Sequence, residues 1–325
     1  MRKIVLAAIF TMMFGLTAAA GETVTLRLGY ETPRSDSQHL GAQRMAKALE
    51  EKTGGRLKLQ LFPDAVLGNS QGMITQVRAG TVDMYMGSTA IFTGVEPKLN
   101  VMDIPFLFHN AQHVDAALDG DVGQEMLDSL LAVDIKGLAY WENGFRSVTN
   151  RRNPVHKPAD VAGLKIRTLA NPMHIEAWRL LGTNPVPMPI AELYTALETG
   201  AVEAQEHPVN VTYSAKLYEV QKYLSMTRHA YSPLIISINK GKFESLPKDL
   251  QDALVECARE AGKWQRQYVR DNERNFVEKM QADGIEVVWE VDMAPFREIV
   301  EAGVRKLYTD KYGDDWLKRI DAFAK

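Results

Sequence analysis

Cysteine is nearly missing. Cys257 is the single one in 325 residues, which excludes an internal disulfide and any Cys-cluster metal site. A surplus of either charge is missing as well. The 38 basic and 41 acidic residues leave a formal charge of −3, without the concentrated basic excess of a nucleic-acid binder or the self-repulsion of a disordered chain. Beyond Leu16 no apolar run approaches the roughly 20 residues needed to span a bilayer. No P-loop, G-x-G-x-x-G fingerprint or H-E-x-x-H is present either, and no G-x-S-x-G nucleophile elbow is expected. What is there is ordinary globular material, 46% hydrophobic and 24% charged, ample for a core. At roughly 100–200 residues per domain, the length favours two domains.

The first twenty residues read as a secretory signal. Arg2 and Lys3 form a positive start, Ile4 to Leu16 a short apolar stretch, and Ala18-Ala19-Ala20 a small-residue cleavage pattern. Cleavage is expected after Ala20, and no Cys follows the apolar run to carry a lipid. The expected mature chain is exported and soluble. Without disulfides, its compartment is expected to be a bacterial periplasm rather than an animal extracellular space.

Val24 to Tyr30 alternates apolar and polar residues as a strand does. Residues 36 to 52 predict a helix with Asp36 or Ser37 as N-cap, ended by Gly54-Gly55. Leu57 to Phe62 predicts a strand, 70 to 79 a helix, and Val82 to Met86 a third strand after a C′ glycine at Gly80. The second half repeats the phrase. Lys165 to Thr168 is a strand, 172 to 181 a helix, and Val186 enters an extended segment. Ala191 to Thr199 is a helix stopped by Gly200, and Ala201 to Gln205 a strand. Gly80-Thr81-Val82-Asp83 and Gly200-Ala201-Val202-Glu203 are near-duplicates at equivalent points. The expectation is α/β, two lobes with open parallel sheets. Leu234 to Ile238 would cross back to the first lobe. Residues 247 to 283 predict one helix of about 55 Å bracing both, and helices over 293 to 311 and 314 to 323 close the chain.

Chemistry is sparse. His109 and His113 stand at i, i+4, but local spacing supplies no third metal ligand, and surface or capping roles are expected. Cys257 lies among Leu254, Val255 and Ala258 and reads as a buried, inert thiol. Polar groups do stand where α/β lobes bind ligands. Arg146 lies where the chain passes between the lobes, and Arg167 ends a strand at the crevice edge. An Arg there can fork onto a carboxylate; an interdomain salt bridge is the other reading. Gln205-Glu206-His207-Pro208 follows a strand and reaches the same edge.

An ordered set of motifs runs along the chain. Leu61-Phe62-Pro63 with Leu67-Gly68, Gly80-Thr81-Val82-Asp83 and Asp103-Ile104-Pro105-Phe106-Leu107-Phe108 open it. Asn143-Gly144-Phe145-Arg146, Gly163-Leu164-Lys165-Ile166-Arg167 and Glu192 to Gly200 continue it. Gln205-Glu206-His207-Pro208, Tyr218 to Tyr223 and Leu246-Pro247 complete it. On these motifs the chain resembles the DctP-type solute receptors of TRAP (tripartite ATP-independent periplasmic) transporters over essentially its whole mature length.

That family implies a periplasmic-binding-protein-like fold, two α/β lobes closing on an organic acid. Lobe I would comprise 21–146 plus about 232–272, and lobe II about 147–231 plus 273–325. An Arg at the position of Arg167 pairs with the ligand carboxylate, and one matching Arg146 supports it. The implied ligand-binding set is Arg167, Arg146, His207, Glu31, Ser88, Gln205 and Ile190. The implied partners are a small-molecule carboxylate and the small and large integral subunits of a TRAP transporter. Ion-gradient-driven uptake needs no ATP, cofactor or metal in this chain, which is expected to be a monomer and no enzyme.

Two departures bear on the ligand. His207 stands where the family often has Asn. Sialic-acid receptors carry an Asn near the position of Glu31 and a Glu near Ser88, so sialic acid is not carried over. Glu31 either faces the cleft, suiting hydroxyls or an amine, or points away and caps a loop. A uronate or aldonate ranks first, a C4-dicarboxylate, 2-oxo or hydroxy acid second, and an amino-acid-like or aromatic acid third. A receptor feeding a sensor kinase and a two-lobed periplasmic enzyme are the alternatives of a different class.

Overall fold

A computed structural model describes residues 23–324, so the expected signal segment lies outside the described residues. Nine strands run in chain order: β1 (Val24–Gly29), β2 (Leu57–Phe62), β3 (Met84–Ser88), β4 (Ile135–Asn150), β5 (Lys165–Thr168), β6 (Asn184–Pro187), β7 (Ala204–Pro208), β8 (Tyr223–Asn239) and β9 (Glu286–Val288). They form one sheet in the order β2-β1-β3-β8-β4-β7-β5-β6, with β9 on β8.

The two parallel units are those expected. β1 pairs in parallel with β2 and β3, and β5 with β6 and β7. Their separation into two independent parallel sheets is not what the chain does. The 16-residue β4 and 17-residue β8 run antiparallel to each other through both lobes. Residues Leu234 to Ile238 pair with β3, and Arg146 to Asn150 pair with β7, so the crossing strands stitch one lobe to the other. Their register shifts at Gly137/Ala139, Glu142/Gly144 and Arg146/Val148. Such irregularities bend and twist a strand pair locally, as a connection between lobes requires.

The near-duplicate tetrapeptides have a common structural job. Gly80 and Gly200 both adopt positive φ, 74° and 78°, where a side chain would be strained. Val82 and Val202 then plug the two cores. Asp83 accepts the backbone N–H of Arg27 at 2.9 Å, and Glu203 accepts that of Lys165 at 3.1 Å. Each acidic side chain thus takes the place of a backbone rung beside the neighbouring strand. This is why β3 and β7 begin at Met84 and Ala204 rather than at the expected Val82 and Ala201.

Asp36 caps the helix Ser37–Lys52 by accepting the N–H of Gln38, and also accepts Ser214 Oγ from the other lobe at 2.6 Å. The helix Lys248–Ala282 has 35 residues, about 52 Å at 1.5 Å each. Near its start Leu254 and Cys257 share a core with Leu28 and Ile236; near its end Val277 and Met280 pack with Leu224 and Met226. Among the described residues no helix is long and apolar enough to cross a membrane.

Candidate functional site

Arg167 is carried by β5 between β6 and β7, and its side chain is 1% exposed. Its Nε and Nη2 both donate to the carbonyl of Met188, at 2.9 and 2.6 Å, just after β6 ends. Nη1 lies 3.1 Å from His207 Nε2 on β7. A guanidinium can only donate, so His207 Nε2 accepts and its proton sits on Nδ1. That proton goes to Gln205 Oε1 at 2.5 Å, and Gln205 Nε2 donates to Thr149 Oγ1 at 2.8 Å. The order of donation runs through four side chains.

The electrostatics agree with this order. Burial, with the charges of Arg167 and Arg146 added, holds His207 well below the usual histidine range, so it stays neutral. Burial, then the neighbouring Arg146, lowers Arg167 to about 10, which still leaves it charged at neutral pH. Three of its five N–H donors are engaged, leaving one on each terminal nitrogen. Among the described residues no carboxylate forms an ion pair with it.

Arg146 has a different place. It is fully buried on β4 and forms a two-pronged pair with Glu206, with Nη2 2.9 Å from Oε1 and Nε on Oε2. His229 Nε2 lies 3.2 Å from the same Glu206. Burial opposes the Glu206 charge, but Arg146 and His229 overcome it and hold the carboxyl well below its usual range. Arg146 therefore stands behind the cleft with its charge matched. Gln205 also stands behind the wall, acting on it through His207.

Glu31, Ser88, Arg167, Ile190 and His207 all line one cleft of about 160 Å³ between the lobes. Glu31, half-buried just after β1, accepts the backbone N–H of Ser70 at 3.0 Å, and Ser70 Oγ donates to its other oxygen. It both faces the cleft and secures the start of the helix Ser70–Arg78, so the two readings of it are not exclusive. Ser88 caps the short helix Thr89–Phe92 and lies 3.2 Å from Ser232 Oγ. Ile190 begins the helix Ile190–Glu198 and adds apolar surface beside Met188. At Gly87, an added Cβ would fall 1.9 Å from Tyr85 Oη, so only glycine leaves that ring beneath the cleft.

Sequence reasoning missed Gln38, Ser70, Asn143 and the carbonyl of Met188. Asn143 accepts from Gln38 Nε2 at 3.2 Å, and both side chains line the cleft. Asn143 was on view inside the Asn143–Arg146 motif. Gly68-Asn69-Ser70-Gln71-Gly72 has the G-x-S-x-G spelling of a hydrolase nucleophile turn, which sequence reasoning passed over. Here it opens a helix, with the Ser70 hydroxyl given to Glu31 and not to a histidine.

The remaining candidates are structural. His109 precedes the helix Ala111–Leu118, because Asn110 caps it, so the two histidines do not share one helix face. His113 is buried rather than at the surface, with Nε2 2.9 Å from the carbonyl of Ile320. Among the described residues no three His, Cys, Asp or Glu side chains gather to hold a metal ion. Cys257 is buried, and burial raises its thiol pKa.

Similar proteins place this cleft in a lineage. The profile of bacterial extracellular solute-binding protein family 7, DctP, matches residues 28–311. An Escherichia coli K12 protein named 2,3-diketo-L-gulonate-binding periplasmic protein is 49% identical over 299 residues, 91% of each chain. The sugar-acid-binding DctP protein of Advenella mimigardefordensis, solved with galactonate, superposes with TM-score 0.90 at 30% identity, over 93% of this chain and 98% of that one. A TRAP periplasmic solute-binding protein from Polaromonas, solved with D-erythronate, gives 0.89 at 36%, over 93% and 99%. With the fold, the buried cleft arginine and a match over most of the chain in agreement, the chain belongs to the DctP family of bacterial extracellular solute-binding proteins.

Proposed function

We propose that this receptor captures a sugar acid of the aldonate type and delivers it to TRAP membrane subunits, without catalysing a reaction on it. The observation that carries the reading is Arg167, buried, charged and holding one uncommitted N–H on each terminal nitrogen in a polar cleft. Two donors match the two oxygens of a carboxylate. Across the cleft, Glu31, Ser70, Gln38 and Asn143 offer the acceptors and donors a hydroxylated chain needs. The ligands named for the three relatives, 2,3-diketo-L-gulonate, galactonate and D-erythronate, are all of this chemistry. A ligand touching both walls would hold the lobes together. The leader is expected to be removed after Ala20, so periplasmic protein should have an intact mass beginning at Gly21.

A thermal-shift panel of galactonate, D-erythronate, 2,3-diketo-L-gulonate, succinate, neutral galactose and glucosamine tests the ligand class. A true ligand at about 100 times its Kd stabilises by about 2.7 kcal/mol. The three sugar acids should raise the melting temperature by several degrees and the neutral sugar and amine should not. A panel in which galactose or glucosamine shifts the melt and no acid does would remove the carboxylate reading.

A further inference from the structure

Resting on that reading, we propose that Glu31 sets the number of carboxylates the site accepts, admitting acids charged at one end and turning away those charged at both. Two observations carry this. The first is the supply of positive charge. Among the described residues Arg167 is the one Lys or Arg lining the cleft, and His207 beside it is neutral. Arg146, the other nearby guanidinium, gives both prongs to Glu206 and does not reach the ligand space. A second ligand carboxylate therefore finds no cation.

The second observation is where that carboxylate would arrive. Arg167 comes from one lobe and Glu31 from the other, and the Glu31 charge is among those that bear on Arg167. Glu31 is fixed rather than free to swing aside. One oxygen holds the Ser70 N–H and the other the Ser70 hydroxyl. A carboxylate has about four lone-pair sites, so the remaining ones can accept hydroxyl protons from a polyol tail. A second carboxylate at the same point has no proton to offer. It brings acceptor against acceptor and like charge against like in a partly desolvated site, which lowers affinity. The polar wall is thus selective by what it repels as well as by what it binds.

Galactonate and galactarate isolate the effect, since they share a six-carbon hydroxylated chain and differ in one terminal group. Calorimetric titration of the wild type should show galactonate bound about 100-fold more tightly than galactarate. Glu31→Gln keeps an acceptor for Ser70 and removes the charge; it should narrow the ratio to under about tenfold, mainly by strengthening galactarate. Glu31→Asp keeps the charge and should preserve most of the discrimination, with melting curves confirming that both variants fold. The inference is overturned if wild type takes both acids within tenfold, or if Glu31→Gln leaves the ratio unchanged. Binding of galactarate alone overturns it while leaving a carboxylate receptor in place. Binding of neither acid defeats the aldonate reading and this inference with it.

Discussion

The two walls of the cleft are built on opposite plans. On the β5–β7 side a run of polar side chains is bonded one to the next: Arg167 to Met188 and His207, His207 to Gln205, Gln205 to Thr149. All four side chains in that chain are buried, and the Arg146–Glu206 pair lies beside them. On the β1–β3 side, Glu31, Ser70 and Ser88 owe their positions to helix starts, each through one or two bonds. The first plan removes conformational freedom before the ligand arrives, so less is lost on binding. The second lets single residues change without dismantling a network. On the function proposed above, charge recognition falls to the rigid wall and recognition of the remaining ligand to the adaptable one.

Substitutions can break this contrast, beginning with the largest effect. Glu206→Ala strips a fully buried Arg146 of its partner, and breaking such a pair costs about 3–5 kcal/mol. Urea unfolding should show that loss; a change under about 1 kcal/mol would mean the rigid wall does not depend on the pair. Arg167→Ala should weaken ligand binding by about 2–5 kcal/mol, roughly 30-fold to several-thousand-fold, and Arg167→Lys should recover only part. If Arg167→Ala, still folded, binds within about threefold of wild type by calorimetry, the anchor lies elsewhere.

Ser88→Ala on the other wall should cost no more than about tenfold in affinity, the net value of one hydrogen bond. An effect as large as that of Arg167→Ala would erase the distinction between the walls. The smallest effect belongs to His207→Asn. The His207 pKa is depressed in the folded chain, so below the ordinary value of about 6.5 the unfolded chain takes up its proton first. Its contribution to stability is present above that pH and is lost as pH falls. The Asn variant should match wild type's pH dependence above pH 7 and lose less stability between pH 7 and 5, read from urea midpoints. Equal slopes would show that this ring is not held neutral.

How far the sequence reveals this molecule can be followed residue by residue. Gly80 and Gly200 announce themselves because a positive φ after a helix leaves few residues to choose from. Arg167 is legible for a related reason, since a strand end in an α/β sheet is where ligands meet the chain. The long crossing strands are not. β4 carries Glu142, Asn143 and Arg146 where burial on both faces would call for apolar residues, because their partners arrive from distant segments. For Arg146 the choice between ligand support and a salt bridge is hidden for that reason: its match to Glu206 spans 60 positions, and local sequence shows an arginine without its carboxylate. The Met188 carbonyl could not be found at all, being backbone whose position depends on the turn after β6.

The crossing strands also govern the order in which the chain can fold. Ser237 on β8 donates to the carbonyl of Tyr85 on β3 across 152 positions of sequence, so the first lobe lacks its sheet edge until most of the second has been made. Contacts of such long range slow folding, because the intervening chain must be ordered before they form. A nascent chain released in pieces from the ribosome therefore holds only the parallel β2-β1-β3 unit, with one edge unpaired. In a family of bacterial extracellular proteins, delayed completion would be an advantage: late pairing by β8 leaves the first lobe's sheet open until the far end of the chain has been made.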